Sequence, residues 1–162
     1  QVIVPARGAD AARRALSGIP RVEVVSMDLL DPASVRSFAD GFLAEHSSLD
    51  LLILSAGVMA TPLFRDAGGH EGQFATNHLG HFRLPAALWP ALRTAHGARV
   101  VVLSSRGHQL GGLDLDDLDF TRRPYDKWLA CGQSKTANAL FAGALDARTA
   151  ALHFTRRGCG QS

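Results

Sequence analysis

Cys131 and Lys135 stand four residues apart in a stretch from Asp126 or Lys127 to about Ala147 that reads as a helix. Positions i and i+4 of a helix share one face, so a thiol and an ammonium would be presented together. A thiol ordinarily titrates near a pKa of about 8.5, and a neighbouring positive charge lowers that value. Such a pair could handle a proton near neutral pH. The histidines suggest other chemistry: His78 and His81 lie three apart, with His70 and His108 elsewhere. No carboxylate or cysteine completes a ligand set around them, so no metal site is expected. Cys131 and Cys159 are 28 positions apart in no paired motif, which argues against a disulfide or metal clip.

Four apolar runs position these groups: Val2 to Ala6, Val22 to Val25, Leu51 to Leu54, and Val100 to Leu103. Their near-continuous Val/Ile/Leu character predicts parallel strands buried on both faces. Helical segments alternate with them. Asp10 is expected to cap a helix through Leu16 that stops at Gly18 and Pro20. Asp31 followed by Pro32 is a cap with proline at the first helical position, and Val35, Phe38, Ala39 and Phe42 share one face behind it. A longer helical stretch runs from about His70 to His96, where Pro85 and Pro90 should kink or divide it. Gly107 to Tyr125 is expected to be the only sizeable loop. This alternation predicts one α/β domain with a doubly wound, Rossmann-like parallel sheet.

Four segments, in order, resemble the short-chain dehydrogenase/reductase family. Ser55-Ala56-Gly57 follows the third run, and Thr76-Asn77-His78-Leu79-Gly80-His81-Phe82 resembles the family's helical asparagine motif. Arg99 to Ser105 resembles the strand ending at the catalytic serine, and Gly132 to Asn138 the segment with the catalytic lysine. The wording is nearest to the retinol-dehydrogenase-like branch. The resemblance implies that Ser105 holds the substrate oxygen, Lys135 lowers the pKa of an acid/base, and Asn77 supports a water chain to that lysine. The acid/base of the family is a tyrosine four residues before the lysine; here that position holds Cys131. A thiol ends several ångströms short of a phenol oxygen, so the chain is expected to be inactive as it stands, with a thiol acting through water as the alternative.

For the cofactor, the resemblance implies contacts from Arg7, Asp28, Leu29, Ser55, Ala56, Gly57 and Lys135. Arg7 stands where an acidic residue would hold the ribose of NAD, which favours NADP; it could equally be an exposed loop arginine. Asp28 alone would be an ordinary turn residue. No glycine-rich phosphate-binding turn occurs in the sequence, and the family's first strand, central in its order 3-2-1-4-5-6-7, is expected to be absent. Residues 1–146 are read as a partial NAD(P)-binding domain and 147–162 as an atypical tail without the expected later strand.

Composition bounds the remaining partners. Of 162 residues, 46% are hydrophobic and 20% charged, with a formal net charge of +2. That charge is too small and too scattered to suggest nucleic acid, and no apolar run approaches the roughly 20 residues of a membrane span. A cytoplasmic setting is expected; the resemblance implies a small alcohol or carbonyl substrate and a possible homo-oligomer through the two long helices. The competing reading is a non-catalytic α/β remnant with at most weak adenosine-side binding. A flavodoxin-like binding domain shares the alternation but leaves Asn77, Ser105 and Lys135 unexplained.

Overall fold

The computed structural model describes residues 1–150. Each apolar run is a strand within one residue of its expected ends: β1 (Val2–Ala6), β2 (Val22–Ser26), β3 (Leu51–Leu54) and β4 (Arg99–Val102). Both pairs of named strands are parallel, Val2 facing Val22 and Leu51 facing Arg99. The ladders do not join; β1–β2 and β3–β4 are separate two-stranded sheets. Both sheets nevertheless feed one core, in which Met27, Leu29, Val35, Phe38, Leu54, Leu84 and Leu88 pack with Ile3, Leu52 and Val102 at its margin.

The helices are α1 (Ala9–Ala15), α2 (Pro32–Glu45), α3 (Gly72–Phe74), α4 (His81–Ala87), α5 (Trp89–Thr94) and α6 (Lys127–Ala150). Asp31 caps α2 by accepting from the Ala33 N–H at 2.8 Å, and Val35, Phe38 and Ala39 are buried behind it as their spacing requires. The Asp126 carboxylate likewise accepts from the N–H groups of Leu129 and Trp128, which hold its pKa below the ordinary value. Helix α6 continues to Ala150, so it overruns the expected boundary at 146; residues 151–162 of the expected tail lie outside the described residues.

Four expectations need correction. Asp10 does not cap α1: Gly8 occupies that place, and Asp10 sits inside the first turn, paired with Arg13 at 2.8 Å. An acidic side chain there still favours the helix, through the partial positive charge of its N-terminus. The β3–β4 sheet is not buried on both faces. Leu52 and Leu54 face the core, whereas Leu51 and Ile53 are 50% and 55% exposed, since successive side chains point to opposite faces and one face remains open among the described residues. The helical stretch from about 70 is divided at Leu88, just before Pro90, as its prolines led us to expect, but Pro85 lies inside α4 and Ala75–Gly80 is a π-helical segment that was not expected. Finally, residues 55–70 form a second long irregular segment, and Arg106–Leu110 within the expected loop is a 3-10 turn.

Candidate active site

Within each sheet the parallel strands send their carboxyl ends to one edge, and several of the residues expected to bind or react follow those ends. Arg7 follows β1, Asp28 and Leu29 follow β2, Ser55 to Gly57 follow β3, and Ser104-Ser105 follow β4. Arg7 is exposed and forms no ion pair among the described residues. Asp28 is built into a turn: its N–H donates to Ser34 Oγ at 2.9 Å and its carboxylate accepts from the Leu30 N–H at 2.9 Å. The Leu29 side chain belongs to the core.

Gly57, Asn77 and Lys135 meet in one small volume. A Cβ on Gly57 would stand 2.8 Å from Asn77 Oδ1 and 3.8 Å from Lys135 Nζ, so only glycine lets this backbone pass the two side chains. Asn77 is fully buried and carried by the π-helical segment, a wide turn of the kind that often marks functional positions. Its side chain is a strut. Oδ1 accepts from the Val58 N–H at 2.8 Å, while Nδ2 donates to the Val58 carbonyl at 2.9 Å and to Ser134 Oγ at 3.0 Å. Ser134, beside Lys135, passes its own proton to the Cys131 carbonyl at 2.7 Å.

Lys135 is held at both ends. Its carbonyl accepts from Ser104 Oγ at 2.9 Å, and its Nζ reaches the Leu103 carbonyl at 3.5 Å. Ser105 Oγ accepts from the Gly107 N–H at 3.1 Å at the start of the 3-10 turn. This turn lies directly against α6, because Gly132 has no side chain: a Cβ there would meet the Gly107 carbonyl oxygen at 2.6 Å. Cys131, adjacent to Gly132, is buried and free. The geometry thus brings Asn77, Lys135 and the turn after Ser105 around Cys131's helix, while Arg7 and Asp28 remain at the ends of the other sheet.

Tyr125, the one tyrosine, offers no replacement phenol. Its hydroxyl accepts from Gln73 Nε2 at 2.9 Å and faces the Thr61 carbonyl and the Glu71 carboxylate at 3.1 and 3.2 Å. Burial raises its pKa further above the ordinary 10. Glu71 also caps the helical segment, accepting from Gln73 N–H and Phe74 N–H. The loop expected after β4 is pinned rather than loose. Asp117 collects the N–H groups of Thr121, Arg122 and Arg123 and the Thr121 hydroxyl, and these bonds hold its carboxyl well below the usual range despite burial. Phe120, buried with φ of 52°, is clamped there by the Arg123 guanidinium 4.2 Å over its ring.

Sequence reasoning missed Asn138 and Glu71. Asn138 is 1% exposed and lies three residues beyond Lys135, a spacing that places both on one helical face and could have singled it out. Burial lowers the pKa values of His78 and His81, against the opposing bonds from Asn138 and the Asn77 carbonyl. Both rings are therefore neutral structural groups near pH 7, and among the described residues no cluster of His, Cys, Asp or Glu is arranged for a metal. No described helix is long and apolar enough to cross a membrane.

A family model described as short chain dehydrogenase matches residues 1–113. A Streptomyces antibioticus protein named "Probable oxidoreductase" is 49% identical over 128 residues, covering 78% of this chain and 42% of that protein. Human retinol dehydrogenase 12 is 43% identical over 128 residues, covering 79% of this chain and 40% of the relative. The crystal structure of an uncharacterized protein from Mycobacterium paratuberculosis is 42% identical with a TM-score of 0.85, covering 94% of this chain and 55% of that one. A metagenomic short-chain oxidoreductase in complex with NADP shares the fold at 20% identity and a TM-score of 0.69. The chain thus spans about two fifths of the length of the curated relatives it matches.

Proposed function

The chain belongs to the short-chain dehydrogenase family, and we propose that it carries the adenosine-side and lysine-side parts of an oxidoreductase using NADP(H) on a small alcohol or carbonyl. The observation that carries this reading is the convergence of Gly57, Asn77 and Lys135 at the carboxyl end of β3. There a backbone without side chains lies beside an ammonium, as close approach of a ribose requires. Arg7 would pair with a 2′-phosphate, Asp28 and Leu29 would flank the adenine, and Ser55 to Gly57 would line the ribose. When bound, the nicotinamide supplies the hydride or accepts it. In this reading residues 1–146 form the cofactor-binding part and 147–162 a tail outside it. Cytoplasmic location belongs to the same proposal, as does self-association through the two long helices, where Phe82 and Leu140 stay exposed.

The chain's own residues then divide the work. Ser105 would hold the substrate oxygen, and the Lys135 ammonium would stabilise an anion on the neighbouring acid/base. Asn77 keeps the β3 exit and α6 at fixed separation through Val58 and Ser134. In this reading Cys131 takes the acid/base position, and its buried thiol, several ångströms shorter than a phenol, would fall short of a substrate held by Ser105. We therefore assign this chain little or no turnover as it stands. Cys131 and the unjoined ladders favour a second reading, a non-catalytic remnant that holds at most the adenosine half of the cofactor.

Titration of the chain with NADPH, followed by cofactor fluorescence, separates the two. Weak saturable binding that falls on Arg7→Ala, with NADH unaffected, supports the NADP reading. Binding at micromolar NADPH would overturn the remnant, and no binding at millimolar NADPH would sink any role for the cofactor. Gain of turnover in Cys131→Tyr would place the missing proton donor at that position.

A further inference from the structure

We propose that Asn138 is a positioning residue that sets where the Lys135 ammonium stands. The proposal deepens the reading of Lys135 as functional and rests on it. Asn138 Nδ2 donates to two carbonyls, Asn77 at 3.0 Å and Leu103 at 3.2 Å. The Leu103 carbonyl is also the oxygen that Lys135 Nζ reaches at 3.5 Å. One acceptor is thus shared, and the shorter amide bond controls its direction. The lysine contact follows it.

The orientation of this amide follows from bonding rules. A carbonyl only accepts, so the nitrogen of Asn138 must face Asn77 and Leu103, and its oxygen must face His78. His78 Nδ1, 3.1 Å from Asn138 Oδ1, must then carry its proton. The same rule protonates His81 Nδ1, 2.9 Å from the Asn77 carbonyl. That carbonyl lies in the π-helical segment and takes donors from two side chains, His81 and Asn138. His78 is itself fixed by Phe74, with ring centroids 5.1 Å apart, and by Phe82 and Phe141 at 6.2 Å. A reversed amide would set oxygen against two carbonyl oxygens and remove one donor from each. Only one orientation survives, and it leaves the Leu103 carbonyl aimed between Asn138 and Lys135.

The chain has just two lysines, Lys127 and Lys135, so labelling lysine Cε with ¹³C gives two NMR signals, with exposed Lys127 as the internal control. Asn138→Ser keeps a hydroxyl for one carbonyl but not two, and should displace the Lys135 signal by more than its linewidth. His78→Phe keeps the aromatic packing and both Asn138 N–H bonds; it should lower the melting temperature yet leave the Lys135 signal in place. A merely structural role predicts a Lys135 signal that stays put in folded Asn138→Ser, or that moves equally in both variants, and either result overturns the proposal. Should Asn138→Ser fail to fold, the unaltered chain still decides: ¹⁵N shifts must show His78 protonated at Nδ1, and protonation at Nε2 refutes the amide orientation. None of these signals needs cofactor, so failure of the NADPH titration would sink the functional reading alone.

Discussion

Two buried polar networks flank the segment from Glu71 to His81, and they are made of different chemistry. Toward α6, Asn77, Ser134, Asn138, His78 and His81 bond one another and the backbone carbonyls of Val58, Asn77, Leu103 and Cys131, with both imidazoles held toward the neutral form. Toward the loop, the carboxylates of Glu71, Asp117 and Asp119 collect N–H groups; the Tyr125 hydroxyl lies beside Glu71, Arg123 stands 3.8 Å from Asp117, and exposed Arg65 donates to the Asp119 backbone carbonyl. A carboxylate accepts several bonds from almost any direction, so it suits an irregular loop that must be gathered from many sides. An amide has fixed donors and a fixed acceptor; it suits a site where one geometry must exclude all others. The loop network confers order, and the site network confers orientation.

The largest expected effect is on the site network. Asn77→Leu strands the Val58 N–H and carbonyl and removes a donor from Ser134. At roughly 1–3 kcal/mol for each buried group left unpaired, the loss should be about 3 kcal/mol or more, read from denaturant unfolding. A loss under about 1 kcal/mol would show that water replaces the amide and that the network is not rigid. Glu71→Ala should cost less, about 2 kcal/mol, because it removes a helix cap and one partner of Tyr125 while the chain ends stay anchored. If it equals Asn77→Leu, the two networks do not differ in the way described.

The pH response sharpens the contrast with the smallest effect. Burial lowers the folded pKa values of His78 and His81, so below about 6.5 the unfolded chain binds protons that the folded chain refuses. The site network is therefore fully stable above that pH and weakens as pH falls from there. Asp117 is also depressed, by hydrogen bonds, so its contribution persists above an unfolded value of about 3.9 and fades only below it. Amide exchange should thus quicken first around Asn77 and Asn138, and only at more acid pH at Thr121 to Arg123. The reverse order would contradict both assignments.

Much of the framework was legible in the chain. Apolar runs located four strands, and Asp31-Pro32 and Asp126 marked two helix starts, because caps and strand cores depend on neighbours in sequence. The four motifs pointed to the family and singled out Asn77, Ser105 and Lys135. The π-helical segment at Ala75–Gly80 was not legible, since its apolar spacing does not differ from that of a kinked α-helix. The Asp10 cap failed because an acidic residue serves a helix from its first turn as well as from its cap. Open exposure of Leu51 and Ile53 was hidden too, for a strand's apolar face is the same whether or not anything covers it.

By itself, then, the sequence determined element types, the family and the chemical identity of each group, including the thiol of Cys131. Tertiary structure alone decided how those groups are aimed. Asn138 meets Asn77 across 61 positions and Leu103 across 35. Hydrogen bonds at such separations exist only after packing has brought the helices and β4 together. The two unjoined ladders are of the same kind, because strand pairing depends on which edges folding sets side by side.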